Sequence, residues 1–402
     1  MAQFGSRQRL AIGIAGAGVL GRLAAWSLAQ AGHRVTVFDP ADSGQARSDG
    51  RGPAGFTAAG MLSPLAELEN GGPTIAALGW RSLALWEQIA ARLRPSAQPL
   101  PASCGSCTSC AGPAAAGEPA GLYFRALGSL LVAHPSDLGA AQRVLARLAT
   151  PTTTPDTRAC TAQALTPSEL VRLEPALAPG LKAWLLAGEG QILPHQILPA
   201  LCDAAAQVDW RWGRSVQSVE AGRIQLDDGS CASFDLALDV RGVGARPALP
   251  VRGVRGELAW LHAPSVNLQR PVRLLHPRHR VYIVPRPGDM IVVGASEIES
   301  EDRSKVSLRS GVELLAAAHS VIPALAEARI EHLETNLRPA LPDNHPHTLV
   351  EAGLLRINGL FRHGWLLAPA LLQDAFDRIG LGHALDSAAA APAVPIRLEA
   401  TA

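Results

Sequence analysis

The sequence predicts an α/β (α+β) fold of two interleaved domains, one with a doubly wound, Rossmann-like sheet and the other with an antiparallel β-sheet. Three observations support this prediction. The chain has 402 residues, which is long for one compact core. A strand–turn–helix–strand pattern covers residues 10–39, and strand-like patterns dominate residues 251–296. Segments of the first type recur in the middle and at the end, so the two domains alternate along the chain.

The first pattern reads LAIGIAGAGVLGRLAAWSLAQAGHRVTVFD. The apolar run from Ala11 to Ala15 is short enough for a buried strand. A helix is predicted from about Val19 to Ala31, and Gly32 supplies the residue that ends it. The residues from His33 to Phe38 predict a second strand.

Glycines follow the first strand in the pattern G-x-G-x-x-G. Gly16 allows a tight turn, Gly18 allows backbone to approach a pyrophosphate, and Gly21 allows the helix to pack closely on the strand. The helix N-terminus adds N–H groups and a positive dipole. Asp39 stands 18 residues after Gly21, where a carboxylate can accept both hydroxyls of an adenosine ribose. The pattern predicts a dinucleotide site, with an ordinary glycine-rich turn as the alternative. Its candidate residues are Gly16, Gly18, Val19, Leu20, Gly21 and Asp39.

Two later segments extend this predicted site. The first consists of Thr57, Ala58, Ala59, Gly60 and Met61. Its small residues let backbone approach a large flat ligand, or alternatively they begin a tightly packed helix. The second follows a strand predicted from Leu236 to Val240, which ends in Arg241 and Gly242. A glycine turn at the carboxyl end of a strand favours another dinucleotide contact.

The remaining periodicities supply elements for both domains. Helical spacing covers residues 73–94, 138–148, 195–206, 307–318 and 366–379. We predict a nucleotide-binding domain from residues 1–95, 165–250 and 332–402, and a substrate domain from residues 96–164 and 251–331. A Cys-rich, low-complexity insertion occupies residues 95–119.

Composition excludes several function classes. The net charge is +1 with a pI near 7.8, and no block of like charges occurs, so neither nucleic acid nor a membrane surface is an expected partner. No apolar stretch reaches the ~18 residues of a membrane span. Arg7 and Arg9 precede an apolar run as in a signal peptide, but that run is the first strand and phosphate turn. We therefore expect a cytoplasmic protein.

Six cysteines raise the question of a metal site. Cys104, Cys107 and Cys110 form CGSCTSC, a spacing that suits zinc or an iron–sulfur cluster. No fourth Cys or His lies nearby, and the flanks are rich in Pro, Ala, Ser and Gly. We therefore predict a solvent-exposed insertion and no metal.

Several motifs together resemble the FAD-dependent D-amino-acid oxidase superfamily, most closely its glycine oxidase (ThiO) branch. They are GAGVLG with Asp39, TAAGML followed by Ala66 and Glu67, GQILP at 190–194, VYIVPR at 281–286, VVGA at 292–295, LRP at 337–339 and NGLFRHGWLLAP at 358–369. The resemblance covers most of the chain apart from the insertion and the tail. It implies the D-amino-acid-oxidase type of fold, in which FAD extends across the nucleotide domain and its flavin faces the sheet of the second domain.

The resemblance also implies roles for particular residues. Arg338 is the expected carboxylate clamp, Tyr282 a substrate hydrogen-bond partner, and Arg362 a further active-site residue. The flavin is expected against Gly359, Phe361, Arg362, His363, Gly364, Trp365, Leu366 and Leu367. Sarcosine-oxidase relatives tether their flavin through a cysteine near 337–340, and this chain has none there, so noncovalent FAD is expected.

The residues themselves leave alternatives open. A guanidinium fork matches an α-carboxylate in shape and charge, but Arg338 follows a strand-like run where a structural ion pair is common. Tyr282 alternates with apolar neighbours as a half-buried sheet residue does, and His363 could make only a loop hydrogen bond. Glu297 belongs to an acidic loop, yet it follows VVGA closely enough to reach the substrate.

The implied reaction is oxidative deamination of glycine or a similar small amine, with dioxygen as the electron acceptor and a role in thiamine biosynthesis. Asn336, Phe361 and Trp365 depart from residues common in relatives, which affects the expected substrate size more than the chemistry. A dehydrogenase that passes electrons to another acceptor is the alternative. Relatives commonly form homo-oligomers, so a homo-oligomer is also expected.

Overall fold

A computed structural model describes residues 8–47, 49–93, 121–149, 161–277 and 280–385. The helices in these ranges are α1 (Val19–Gln30), α2 (Gly72–Arg92), α3 (Leu138–Leu148), α4 (Pro167–Leu173), α5 (Pro194–Asp203), α6 (Leu308–Val321) and α7 (Gly364–Ile379). The strands are β1 (Ala11–Ala15), β2 (Arg34–Asp39), β3 (Met61–Leu62), β4 (Phe124–Arg125), β5 (Ser129–Ala133), β6 (Gln163–Leu165), β7 (Lys182–Leu186), β8 (Gly190–Ile192), β9 (Asp209–Trp212), β10 (Val216–Glu220), β11 (Arg223–Leu226), β12 (Cys231–Ser233), β13 (Leu236–Asp239), β14 (Arg252–His262), β15 (Val272–Leu275), β16 (Arg280–Arg286), β17 (Met290–Gly294), β18 (Arg329–Ala340), β19 (His347–Glu351) and β20 (Leu354–Asn358).

The first sheet has six strands in the order β19-β20-β13-β1-β2-β9. Its pairs are parallel except for the β19–β20 hairpin. β1 lies in the middle because its residues are apolar and buried on both faces, as a parallel strand between helices requires. Helices α1, α2, α5 and α7 contribute to the hydrophobic core of this part of the chain, so the predicted Rossmann-like sheet is confirmed.

The second sheet has eight strands in the order β18-β14-β17-β16-β15-β5-β7-β6. Its pairs are antiparallel apart from β15 with β5. Helix α6 packs on one face, where it shares a hydrophobic core with the sheet. This sheet corresponds to the predicted antiparallel β-sheet.

Two strands of the second sheet come from segments that the sequence analysis assigned to the nucleotide-binding domain. β7 falls within 165–250 and pairs with β5, and most of β18 falls within 332–402 and pairs with β14. Strand pairing depends on partners far away in sequence, which local patterns do not reveal. The domain limits as a whole stay a prediction.

The two parts meet where Ala59 and Leu193 pack against Leu258, Trp260 and Val292 of the second sheet. Small sheets β3-β8-β4 and β10-β11-β12 complete the fold. Among the described residues no helix combines the length and the apolar character needed to cross a membrane.

Candidate active site

The glycine turn between β1 and α1 has the shape that its sequence predicts. Gly16 adopts φ +103°, which a side chain would disfavour. A Cβ on Gly21 would lie only 1.8 Å from the carbonyl oxygen of Gly16, so only glycine permits this contact between helix and strand. A Cβ on Gly18 would meet no atom within 4 Å, so open space lies in front of the helix N-terminus. The turn is therefore a cradle that a ligand can approach closely.

Asp39 holds this turn in place. Its Oδ2 accepts a hydrogen bond of 2.6 Å from the backbone N–H of Ala17, and its Oδ1 accepts one of 2.9 Å from Ala41. The carboxylate is 7% exposed. The contact of Asp39 with an adenosine ribose stays a prediction, and the structure adds an anchoring role that the sequence did not indicate.

The cradle lies beside segments that border a large cavity. A Cβ on Gly55 would lie 3.7 Å from Cβ of Val19, and one on Gly364 would lie 3.8 Å from Cγ1 of Val19. The indole of Trp365 donates a hydrogen bond of 2.9 Å to the carbonyl of Gly55. Residues 54–60 form turns, bends and irregular backbone, so the alternative prediction of a helix at this point is wrong. The cradle and the cavity are therefore neighbours, although Gly16, Gly18, Val19 and Gly21 themselves do not line the cavity.

The cavity has a volume of about 910 Å³. It brings all three predicted catalytic residues, Tyr282, Arg338 and Arg362, to one place. Of the predicted cofactor residues, it is lined by Thr57, Ala58, Ala59, Gly60, Met61, Arg362, His363, Trp365 and Leu366. Tyr282 and Arg338 lie on strands β16 and β18 of the second sheet, and Arg362 lies in the loop before α7. The segment from Thr57 to Met61 leads into β3.

Arg338 lies over a glycine of the neighbouring strand. A Cβ on Gly256 of β14 would lie 2.5 Å from Cζ of Arg338, so only glycine leaves room for the guanidinium. Nη1 donates hydrogen bonds to the carbonyls of Ser296 (3.0 Å) and Arg255 (3.4 Å). Nε and Nη2 form no hydrogen bond with another described residue, and no carboxylate of these residues forms a salt bridge with Arg338. Within the described residues, Arg338 therefore does not form the structural ion pair that was the alternative interpretation of this arginine.

Tyr282 lies over a second glycine. A Cβ on Gly294 of β17 would lie 2.6 Å from the Tyr282 hydroxyl, and the two residues are direct partners across the β16–β17 pair. Burial raises the pKa of Tyr282, although nearby Arg338, Arg273 and Arg286 oppose the shift. The hydroxyl is therefore protonated at neutral pH and can donate a hydrogen bond into the cavity.

Arg362 belongs to a buried ionic cluster around Glu67. Its Nη2 lies 3.5 Å from Oε1 of Glu67, and Nη2 of Arg273 lies 3.7 Å from the same oxygen. Nδ1 of His363 lies 3.4 Å from Oε2 of Glu67, and neither of these two buried atoms has a hydrogen-bond partner. On its other side, Arg362 lies 3.6 Å from Glu297, which lines the cavity as the sequence suggested.

The charge state of this cluster follows from burial and its neighbours. Burial by itself raises the pKa of Glu67, but Arg362, His363 and Arg273 outweigh it, so the net shift is downward. Burial lowers the pKa of His363, and the nearby Glu67 carboxylate only partly opposes this. At neutral pH the cluster therefore holds an ionised Glu67 beside a neutral His363 and cationic arginines.

Other predicted cofactor residues have structural contacts as well. Arg241 forms a buried ion pair of 2.8 Å with Asp239 and donates a hydrogen bond of 2.9 Å to the carbonyl of Val216. Gly242 and Gly359 adopt positive φ, of 57° and 77°. These turns end strands β13 and β20. Leu20, Phe361, Gly364 and Leu367 do not line the cavity, and their contacts with a cofactor stay predictions.

Asn336 connects the second sheet to the cofactor segment. Its amide donates hydrogen bonds of 3.2 Å to the carbonyl of Gly52 and to Oγ1 of Thr57. This asparagine therefore fixes a segment that lines the cavity.

Sequence reasoning missed Gly256 and Arg273, and it noted Gly294 and Glu67 only as parts of motifs. A glycine inside a strand was an available signal, because it often marks a close approach of another group. Cys104, Cys107 and Cys110 lie outside the described residues. Within the described ranges, no cluster of three or more His, Cys, Asp or Glu side chains could hold a metal ion.

Known proteins resemble this chain in sequence and in fold. The profile of the DAO family, described as FAD dependent oxidoreductase, matches residues 11–373. The chain belongs to this family. It is 35% identical over 366 residues to the thiamine biosynthesis oxidoreductase ThiO of Rhizobium etli, covering 90% of this chain and 94% of that one. It is 28% identical over 417 residues to the D-amino acid dehydrogenase of Xanthobacter autotrophicus, covering 91% and 94%.

The crystal structure of glycine oxidase from Geobacillus kaustophilus superposes with a TM-score of 0.71 at 25% identity, over 92% of this chain and 95% of that one. The D-amino-acid-oxidase type of fold is therefore confirmed. The protein is an FAD-dependent oxidoreductase, and FAD is its cofactor. The cradle fits such a cofactor, because a Cβ on Gly18 would meet only open space, which leaves room for a phosphate group in front of the helix N-terminus.

Proposed function

We propose that this flavoprotein oxidises the Cα–N bond of glycine or of a similarly small amino acid or amine. The observation that carries the proposal is the shared cavity of Arg338, Tyr282 and Arg362 with the segment from Thr57 to Met61. The three polar residues suit a small carboxylate, and the segment is the predicted seat of the flavin. With glycine, the balanced reaction converts glycine, dioxygen and water into glyoxylate, ammonia and hydrogen peroxide.

Arg338 binds the substrate carboxylate in this proposal. Because its hydrogen bonds to Ser296 and Arg255 both use Nη1, the edge formed by Nε and Nη2 remains for a ligand. Two parallel N–H groups on that edge match the two oxygens of a carboxylate. Lysine offers no such fork.

Tyr282 helps to orient the same carboxylate by donating a hydrogen bond from its hydroxyl. The raised pKa of Tyr282 keeps this hydroxyl protonated at neutral pH. FAD, when bound, would supply the acceptor for the hydride that leaves Cα, which carries both electrons of the oxidation. The substrate amine must be neutral for this step. No strong side-chain base is required, because the residues act by aligning the substrate in a pocket that excludes water.

The likeness to the Rhizobium etli protein supports a role in thiamine biosynthesis, in which the imine or its hydrolysis product is the compound supplied. Dioxygen as the acceptor, a homo-oligomeric state and a cytoplasmic location stay predictions.

The experiment is anaerobic reduction of the purified yellow protein by a panel of amines. Glycine, sarcosine and D-alanine are mixed separately with the enzyme, and the loss of flavin absorbance is followed. We expect glycine to bleach the flavin and Arg338→Ala to require far more glycine for the same rate. A protein that binds FAD but is bleached by no amine or amino acid would contradict the proposal.

A second candidate is a dehydrogenase that delivers electrons to an acceptor other than dioxygen. The 28% identity with the D-amino acid dehydrogenase of Xanthobacter autotrophicus favours this candidate. Stopped-flow mixing of the reduced enzyme with air-saturated buffer separates the two. Rapid reoxidation supports the oxidase, whereas slow reoxidation that a quinone accelerates supports the dehydrogenase.

A further inference from the structure

Arg22 is a fully buried cation next to the glycine turn. It directly follows Gly21 and lies in the first turns of α1, with 0% of its surface exposed. It forms no salt bridge within 4.0 Å with a carboxylate of the described residues, and the charge of Asp39 acts on it only from beyond that distance. An unpaired charge in such a place costs several kcal/mol unless something compensates it. The sequence analysis did not assign any function to this residue.

The guanidinium of Arg22 connects three segments that surround the turn. Nε donates a hydrogen bond of 2.7 Å to the carbonyl of Ala17. Nη1 donates bonds of 2.6 Å to the carbonyl of Gly44, in the loop after β2, and of 3.1 Å to that of Leu198 in α5. The side chain therefore acts as a three-way connection between the turn, the loop and a helix.

The peptide of Ala17 is held at both ends. Its N–H donates to Asp39 and its carbonyl accepts from Arg22. Ala17 stands between Gly16 and Gly18, two glycines with almost no steric preference of their own. The orientation of this peptide determines where the following N–H groups of the turn point, so the two charged side chains fix the direction in which the cradle faces.

Aromatic rings enclose the same guanidinium. Cζ of Arg22 lies 5.1 Å from the ring centroid of Phe56 and 5.4 Å from that of Trp212. Phe56 directly precedes Thr57, the first residue of the segment that lines the cavity. Nη2 is buried and has no hydrogen-bond partner. Burial raises the pKa of the nearby Cys202 thiol to about 11, so this thiol is neutral and does not balance the charge.

We propose that Arg22 is a positioning residue for the FAD diphosphate: it fixes the Ala17 peptide so that the turn presents its N–H groups to the phosphates, and the phosphates add to Asp39 in balancing its charge. The inference rests on the proposed placement of the diphosphate at the glycine turn. It predicts that Arg22 matters for ligands that carry the diphosphate and much less for ligands that lack it.

The test uses apoprotein prepared from the full chain, with calorimetric titration of FAD, ADP and adenosine. Arg22→Met keeps the length and the apolar part of the side chain but removes the charge and its donors. We expect ADP and FAD to bind about tenfold more weakly or worse, since charge-assisted hydrogen bonds are lost, while the affinity for adenosine changes by less than about twofold.

The control is Arg92→Met, at an exposed arginine that also contacts α1. Arg92 also stacks on an aromatic ring, with its Cζ 4.8 Å from the centroid of Trp26 on α1, and it donates a bond of 2.8 Å to the carbonyl of Ala384. Like Arg22, Arg92 forms no salt bridge with a described residue. It contacts α1 through Trp26 rather than at the glycine turn, so we expect Arg92→Met to bind all three ligands like the wild type.

Several outcomes of these titrations would contradict the proposed role of Arg22. Equal weakening of ADP and adenosine, or unfolding temperatures that fall alike in apoprotein and holoprotein at unchanged FAD affinity, would overturn the inference. If wild-type apoprotein binds FAD but not ADP, the placement of the diphosphate fails, and the inference with it. Should Arg22→Met not fold, Arg22→Lys provides the decisive titration. Lysine keeps the charge but has one nitrogen for three carbonyls, so ADP binding equal to wild type would also refute the inference.

Discussion

Gly256→Ala tests whether a glycine in β14 sets the position of the carboxylate clamp. Gly256 does not adopt positive φ, so alanine strains no backbone angle. The added Cβ would, however, lie 2.5 Å from both Cζ and Nη2 of Arg338. Non-bonded carbon atoms settle at about 3.5–4.0 Å, so the guanidinium has to recede by about 1 Å. This movement disturbs its hydrogen bond of 3.0 Å to the carbonyl of Ser296.

A displacement of about 1 Å in a substrate-binding group can lower the rate about 100-fold, which corresponds to roughly 2.7 kcal/mol. We therefore expect kcat/KM for glycine to fall by about two orders of magnitude in Gly256→Ala. The FAD content should remain unchanged, because Gly256 lies in the second sheet and not in the cradle. The assay is hydrogen peroxide production under air, supported by anaerobic bleaching of the flavin.

Two comparisons make this prediction specific. A Cβ on Gly139 in α3 would have its nearest neighbour 4.0 Å away, so Gly139→Ala should retain full activity. In an Arg338→Ala background, Gly256→Ala should cause little further loss, because the group that it displaces is absent. Activity of Gly256→Ala within about threefold of wild type, or full additivity in the double variant, would refute the reasoning.

Other expected outcomes concern binding, stability and pH. Arg338→Ala should weaken glycine binding by about 3 kcal/mol at unchanged FAD content, because a charge-assisted bidentate pair is lost; steady-state kinetics on glycine check this. Glu67→Gln should lower the free energy of unfolding by about 3 kcal/mol, since Arg362 and Arg273 lose the buried carboxylate that they share and Arg362 keeps only the exposed Glu297. Glu69→Gln should cost under about 1 kcal/mol, because the arginines that Glu69 pairs with are exposed; urea denaturation compares the two variants. Burial lowers the pKa of His195 below its ordinary 6.5, so the unfolded chain takes up a proton first as the pH falls. The contribution of His195 to the free energy of unfolding should therefore be constant above pH 6.5 and decline as the pH falls from there towards its lower pKa in the folded protein, and His195→Asn should make the decline in thermal unfolding at pH 5–7 less steep. An equal slope in wild type and His195→Asn would contradict that assignment.

The sequence by itself determined the nucleotide cradle. Its strand, glycines, helix and Asp39 are contiguous, and the requirements for a tight turn and a close helix–strand contact are local. The structure accordingly has β1 at Ala11–Ala15 and α1 at Val19–Gln30, as predicted to within a residue. Recognition of the family rested on short motifs of the same local kind.

Only the tertiary structure decided how the substrate side of the cavity is built. Tyr282 on β16 and Arg338 on β18 are separated by the two strands β17 and β14, and their approach depends on the register of all four. The same register sets Gly294 under Tyr282 and Gly256 under Arg338. Register is fixed by pairings between residues far apart in the chain, so no local pattern could have revealed these contacts or the fully buried position of Arg22.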